Sequence, residues 1–206
     1  MSSLDSMTVS VRARAGQTQM RILEAAAQSL AKFGFARVRI DDVAEAAGVS
    51  RALVHRYFGD KTTLLRHVRE HVLEEWSTAV DRGIAAAPDA RAAIVAWLEA
   101  SLAYAARQPL LNAIFSEEAV AATGLADPVT LRAADRRRSR VRALLERGVA
   151  EGLLPAELDL LASTEALIHL HAGLTNGIVR DGPISPISAE RWSAEAVRIL
   201  VAGLAR

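Results

Sequence analysis

The side chains with most to offer chemically follow directly on Gly48-Val49-Ser50, where Arg51, Ala52, His55 and Arg56 stand close together. An arginine can grip guanine O6 and N7 with two hydrogen bonds, a discrimination of about 1–3 kcal/mol, and a small alanine beside it allows close approach to a duplex. His67 and His71 have the i,i+4 spacing that lets two imidazoles share a metal ion, with Glu70 or Glu74 able to add oxygen. Glu165, His169 and His171 form a third set, since a carboxylate and an imidazole at i,i+4 are a minimum for acid–base chemistry in a helical bundle. Arg136, Arg137, Arg138, Arg140 and Arg142 form a fourth, and the acids Asp135 and Glu146 beside them point to a solvated helix face rather than an anion site.

Several chemistries are excluded by what the chain lacks. It has no cysteine, so disulfides, zinc–thiolate sites, iron–sulfur clusters and cysteine nucleophiles are ruled out. There is no Gly-x-Ser-x-Gly elbow and no phosphate-cradling glycine loop. No metal and no cofactor is expected, because the inward stripe of the helix carrying His67 and His71 is Leu64, Val68, Val72 and Trp76, which turns both histidines sideways or outward.

The elements that must position these residues are helical. The chain has 206 residues, 51% of them hydrophobic and only 4% aromatic, and apolar residues recur at three and four positions almost everywhere. The spacing predicts an all-α protein. A first helix is expected over about Thr18–Phe33, with Ile22, Ala26, Leu30 and Phe33 on one face and Gly34 ending it. A short helix follows over Ile40–Ala47, and another from Arg51 to Tyr57 or Phe58, capped by the Ser50 hydroxyl. Asp60 caps a long helix with Leu64, Val68, Val72, Trp76 and Val80 at four-residue steps. Further helices are expected at about 89–107, 109–123, 127–151, 157–180 and 188–205, the one over 157–180 apolar nearly all round and so covered from more than one side.

Two short helices joined by Gly48-Val49-Ser50 make a helix-turn-helix over about 40–58, because the glycine permits a left-handed turn and the serine starts the next helix at once. Eleven Arg or Lys face seven Asp or Glu over residues 1–73, whereas the remainder carries fourteen against seventeen. The basic N-terminal part hints at an anionic partner. The first fourteen residues hold Asp5, Arg12 and Arg14 and no signal-peptide-like apolar run, and the apolar window Leu158–Val179 is broken by Asp159, Glu165, His169 and His171. A cytoplasmic protein without a membrane span is expected.

From Thr18 to Leu65, the segment TQMRILEAAAQSLAKFGFARVRIDDVAEAAGVSRALVHRYFGDKTTLL resembles the DNA-binding domain of the TetR (tetracycline-repressor-like) transcriptional regulators of bacteria, notably in Ala44–Ser50 and in Tyr57-Phe58-Gly59-Asp60-Lys61. The resemblance implies a homodimer with an N-terminal DNA-binding domain and a helical C-terminal domain holding an inducer, usually acting as a repressor on a palindromic operator in double-stranded DNA. It divides the chain into a flexible arm over 1–15, a DNA-binding domain over 16–76 and a ligand-binding and dimerisation domain over 77–206. Carried over by position, Arg51, Ala52, Leu53 and His55 look toward base edges, and Arg56, Tyr57 and Lys61 hold phosphates. Ser50 caps the recognition helix. Two positions depart from the family pattern: Arg39 stands where a hydroxyl residue usually caps a helix and touches phosphate, and His55 where a tyrosine is common.

In the second half, Trp97, Ser101 and Tyr104 share a helix face, and with Trp76, Phe115, His169 and Asn176 they are candidates for an apolar small-molecule pocket with a few polar anchors. The dimer seam is expected from Leu167, Leu170, Leu174, Val197, Leu200, Val201 and Leu204 on the last two helices. Two other readings stay open at this point. The C-terminal domain could dimerise or bind a protein without any small ligand, or Glu165, His169 and His171 could serve a helical-bundle enzyme.

Overall fold

The computed structural model describes residues 3–108, 110–111, 128–180, 191, 195–196 and 198–199, with side chains from residue 15 onward except those of 35, 130 and 176–180. Every element among them is an α-helix. They fall into two units, one ending at His71 and the other beginning at Val72.

In the first unit, Ile22, Ala26 and Leu30 recur at four-residue steps on α1 (Ser3–Arg37) and are buried. The helix begins well before the expected Thr18, and the backbone of residues 3–15, read from sequence as a flexible arm, is helical. Gly34, at φ 75° and ψ 168°, kinks the chain where an end was expected. Phe33 was expected inside but is 38% exposed, with the Lys32 ammonium 5.0 Å from its ring centroid, because the last turn before the kink runs past the core. Val38 fills the core after the kink.

α2 (Ile40–Ala46) buries Val43 and Ala44, and α3 (Arg51–Phe58) buries Val54 and Phe58. Between them Gly48 adopts φ 65°, while the N–H of Val49 returns to the Ala44 carbonyl at 2.9 Å and that of Gly48 to Glu45 at 3.0 Å. This left-handed closure leaves few orphan carbonyls on α2 and turns the chain at once into α3. The Ser50 hydroxyl accepts from Leu53 N–H at 3.2 Å, as its capping position demands. Arg39 makes no such cap on α2. α4 (Lys61–Ala85) is capped by Asp60, whose carboxylate accepts from Thr63 N–H at 2.7 Å and is held below its ordinary pKa mainly by that bond.

In the second unit, α4 continues with Val72, Trp76 and Val80 buried, joined by α5 (Ala90–Arg107), α6 (Pro128–Ala150) and α7 (Leu160–Arg180). Several arginines of α6 are spent on nearby acids. Arg140 binds Asp81 of α4 through Nε and Nη2 at 2.8 Å each, Arg138 Nε reaches Glu165 of α7 at 2.6 Å, and Arg142 pairs with Glu146. α7 turns Thr164, Leu167, Ile168, His171 and Thr175 inward, and leaves His169 and Leu170 exposed. Among the described residues, α7 packs its inward face against α5 and α6. No helix among the described residues is long and apolar enough to cross a membrane.

A methyl group at Gly48 would meet nothing within 4 Å, so a substitution there tests backbone strain alone. Gly48→Ala is expected to lower stability by about 1 kcal/mol, and Gly48→Asn by less, since asparagine tolerates the left-handed region better. Equal stabilities of the two variants and the parent in urea denaturation would contradict the strained turn.

Candidate nucleic-acid interface

Because α3 buries Val54 and Phe58 one turn apart, its other side is forced into solvent. Ser50, Arg51, Ala52 and Arg56 are exposed, while Leu53, His55 and Tyr57 are half-buried at the flanks. The Tyr57 ring lies 6.3 Å from that of Phe58, with the Arg56 guanidinium 5.9 Å from its centroid. Arg39, its side chain 74% exposed, precedes α2 on the extended backbone that starts the motif. Lys61 is half-buried and donates to the Ala36 carbonyl at 3.1 Å, so this ammonium also ties the end of α1 to the start of α4.

Arg51 does not hang loose. Its Nη1 donates to both carboxylate oxygens of Asp41, on the first turn of α2, at 3.2 Å. Its Nε donates to His55 Nε2 at 3.4 Å, and His55 Nδ1 lies 2.6 Å from the Gly59 carbonyl. A carbonyl only accepts, which assigns the imidazole proton to Nδ1 and leaves Nε2 as the acceptor for Arg51. His55 is thus a bridge between the end of α3 and its first residue, rather than a free base-reading donor. Sequence reasoning missed Asp41; ten residues separate it from Arg51, and only the tight turn at Gly48 brings the two together.

The histidines outside the motif separate cleanly. His67 packs edge-on against Phe58, ring centroids 5.4 Å apart, with Nδ1 at 2.8 Å from the Thr63 carbonyl. His169 is exposed and takes no part in the interior where the sequence had placed it. His171 takes that place, with centroids 5.0 Å from Trp97 and 6.3 Å from Trp76. The two histidines are about 160° apart around the helix, and the inward stripe Thr164, Leu167, His171 and Thr175 would have singled out the second. Glu165 is engaged by Arg138, so Glu165, His169 and His171 do not converge on one space.

Around His171, Trp97 and Ser101 are fully buried, and Trp76 donates to the Ser101 hydroxyl at 3.3 Å. Tyr104 is half-buried and donates to Glu75 at 3.1 Å, and burial, then the Glu75 charge, push its pKa up. The Thr175 hydroxyl gives its proton to the His171 carbonyl at 2.7 Å, leaving a lone pair for His171 Nε2 at 3.4 Å. Among the described residues, His171 Nδ1 and the indole N–H of Trp97 have no hydrogen-bond partner. Phe115, Val197, Leu200, Val201 and Leu204 lie outside the described residues, as do the side chains of Arg12, Arg14 and Asn176. Of the seam residues that are described, Leu170 is 46% exposed and Leu174 half-buried, but Leu167 is 7% exposed and belongs to its own bundle. Leu167 lies about 60° from Leu170 around the helix, enough to put it over the core edge.

A short helix with a basic outer face, docked by its apolar face on a second helix across a left-handed turn, defines a helix-turn-helix DNA-binding protein. The model of the bacterial regulatory proteins of the tetR family matches residues 22–68. The HTH-type transcriptional regulator SrpR of Pseudomonas putida is 31% identical over 173 residues, which are 82% of this chain and 77% of that protein. The HTH-type transcriptional repressor LfrR of Mycolicibacterium smegmatis is 41% identical over 66 residues, 32% of this chain and 34% of that protein. The crystal structure of the TetR family regulator PfmR from Thermus thermophilus shares the fold at a TM-score of 0.72 and 24% identity, covering 90% of this chain and 100% of that one. FadR of Bacillus subtilis, solved in complex with stearoyl-CoA, does so at 0.72 and 16%, covering 89% and 98%. The chain belongs to the TetR family and is a DNA-binding transcriptional regulator.

Burial, and secondarily the Arg137 charge, lower the pKa of His171 from the ordinary 6.5 to about 4. The folded form therefore binds this proton more weakly than the unfolded one, and the histidine's contribution to stability is intact above about pH 6.5 and lost as pH falls toward about 4. The loss is on the order of 3 kcal/mol. His171→Leu is expected to flatten thermal stability against pH across that window, and an unchanged slope would show that another group carries it.

Proposed function

We propose that two copies of this chain form a homodimer that holds a palindromic operator in double-stranded DNA and releases it when a small molecule enters the second unit, so that the protein acts as a repressor in the bacterial cytoplasm. The observation that carries this reading is the outer face of α3, with Arg51, Ala52 and Arg56 exposed over a helix locked in place by Val54 and Phe58. In this reading Arg51, Ala52 and Leu53 face base edges, His55 supports Arg51, and Arg39, Arg56, Tyr57 and Lys61 hold phosphates while Ser50 caps the helix. Phosphate contacts fix register, and the arginine reads sequence.

Homodimerisation is supported by the outer face of α7. There His169, Leu170, Gly173 and Leu174, with Ala196 and Ile199, line an open apolar groove of about 550 Å³. Leu170 and Ile199 are 46% and 65% exposed, which is costly for side chains of that size unless another surface covers them. Val197, Leu200, Val201 and Leu204 extend the seam by their sequence spacing. A two-fold axis through it sets the two α3 helices apart, and they must lie about 34–36 Å from each other, or a multiple, to enter successive major grooves.

A ligand site in the second unit is supported by the unpartnered polar atoms of Trp97 and His171. Each such buried group costs about 1–3 kcal/mol, which a molecule offering an acceptor to the indole and a donor to the imidazole would recover. Trp76, Trp97, Ser101, Tyr104 and His171 are the described residues of this site, with Phe115 and Asn176 assigned from sequence. FadR, which shares the fold, was solved in complex with stearoyl-CoA, a precedent for small-molecule binding by this architecture. α4 runs from Lys61, beside the DNA-binding motif, to Ala85. A ligand that displaces Trp76 on that helix would change the spacing of the two α3 helices, and the coupling is reciprocal, so operator DNA would weaken the ligand.

Arg51→Ala is expected to relax preference at one base position per half-site, by about 1–3 kcal/mol, while Arg56→Ala and Lys61→Ala weaken all sequences alike and flatten the slope of log K against log salt by about one unit each. Uniform loss on every sequence for Arg51→Ala in a binding-site selection would remove it from base readout. Leu170→Asp is expected to give monomers on size-exclusion chromatography and to abolish gel-shift binding. A dimer with full binding would remove α7 from the interface.

A further inference from the structure

Asp41 is an acid on the face assigned to DNA, where a carboxylate repels phosphates, and its charge needs a reason. It touches two arginines. Both of its oxygens take Arg51 Nη1 at 3.2 Å, and Oδ2 lies 4.0 Å from Arg39 Nη2. With the side chain of Arg51 62% exposed and that of Asp41 47%, this pair adds little to the stability of the fold. Its effect is orientation. Nη1 is held by Asp41 and Nε by His55 Nε2, while His55 is itself held at Nδ1 by the Gly59 carbonyl. Two of the three guanidinium nitrogens are thus engaged from opposite sides, one by α2 and one by α3. Nη2 remains as the nitrogen with both hydrogens for an incoming acceptor.

An untethered arginine samples many rotamers, and freezing them on binding lowers affinity for right and wrong sequences alike. A guanidinium already aimed loses less, and it cannot swing toward an acceptor displaced to a neighbouring base pair. We propose that Asp41, with His55, is a specificity-determining positioning residue: it fixes the Arg51 guanidinium so that one base acceptor pattern satisfies it and others do not. The inference rests on Arg51 as the base-reading residue, and extends that reading to a carboxylate on the preceding helix.

The test is a double-mutant cycle on the full-length protein, with Asp41→Ala, Arg51→Ala and the pair measured on the selected operator and on variants changed at the base position that Arg51→Ala identifies. Asp41→Ala is expected to reduce discrimination at that position by about fivefold or more, while binding to unrelated duplex stays equal or tightens, because a negative charge has left the interface. In the Arg51→Ala background the same change is expected to move discrimination by less than about twofold. Asp41→Asn, which keeps one acceptor oxygen, is expected to fall between parent and alanine. Asp42→Ala removes a like charge from the same helical turn, so it controls for the loss of first-turn charge and is expected to leave base preference as it was.

An equal effect of Asp41→Ala in both backgrounds would show that Asp41 reads a base itself, and would overturn the positioning role. Unchanged base preference in Asp41→Ala would show that the tether is given up on binding, and would overturn it as well. These outcomes leave the broader reading intact, because the Arg51→Ala arm reports on that separately. An Arg51→Ala variant with unaltered preference removes both.

Discussion

Gly48 is the constraint on which the DNA-binding surface depends. A left-handed residue at that place lets Val49 and Gly48 return their N–H groups to α2 within a single turn, and only then is Ser50 in position to receive Leu53 N–H and start α3. Length matters as much as conformation. A longer connection would satisfy the same orphan groups with water, but it would free α3 to rotate against α2. With so short a connection between the helices, the burial of Val54 and Phe58 and the exposure of Arg51 and Arg56 become one event. The turn also carries Arg51 within reach of Asp41, so the geometry that exposes the arginine is the geometry that restrains it.

Charge is used differently in the two units. On α6 two arginines are matched to acids on neighbouring helices, in the two-point grip of Arg140 on Asp81 and the reach of Arg138 to Glu165. Such pairs orient helices more than they stabilise them, since partly exposed ion pairs are worth about 1 kcal/mol or less. At the start of the chain the cations outnumber the acids, and Arg56 and Arg39 point away from the core. A net charge near zero for the whole molecule therefore conceals a basic N-terminal part and a slightly acidic remainder.

The helix-turn-helix was legible in the sequence because each of its decisive features is local: a glycine that must turn, a serine that must cap, and apolar residues at i,i+4. The stripe on α4 was legible for the same reason. The readings that failed needed information about neighbours. Phe33 has the right angular position for the core of α1, and what the sequence did not contain was where along the helix that core stops. His169 and His171 are equally plausible from composition, and the choice between them follows from which face of α7 meets α5 and α6. Leu167 and Leu170 are both leucines on an apolar helix, yet one fills its own bundle and the other is exposed. Composition shows how much apolar surface a helix has, but tertiary packing decides how it is shared between core and interface.

The polar atoms buried in the second unit sharpen that distinction. A core built only for stability would replace His171 with an apolar residue of similar shape, avoiding both the proton-linked loss on acidification and the orphaned Nδ1 beside two indoles. Keeping an unsatisfied imidazole next to an unsatisfied indole makes this part of the bundle less stable than its packing allows, and a partner that satisfies both atoms gains more than contact area, because it also relieves two penalties already present. Trp76, whose ring lies 6.3 Å from that of His171, sits on α4, the same helix whose first turn is capped by Asp60 at the end of the DNA-binding motif, so in the proposed release by a ligand the unsatisfied atoms lie beside the element that would have to move.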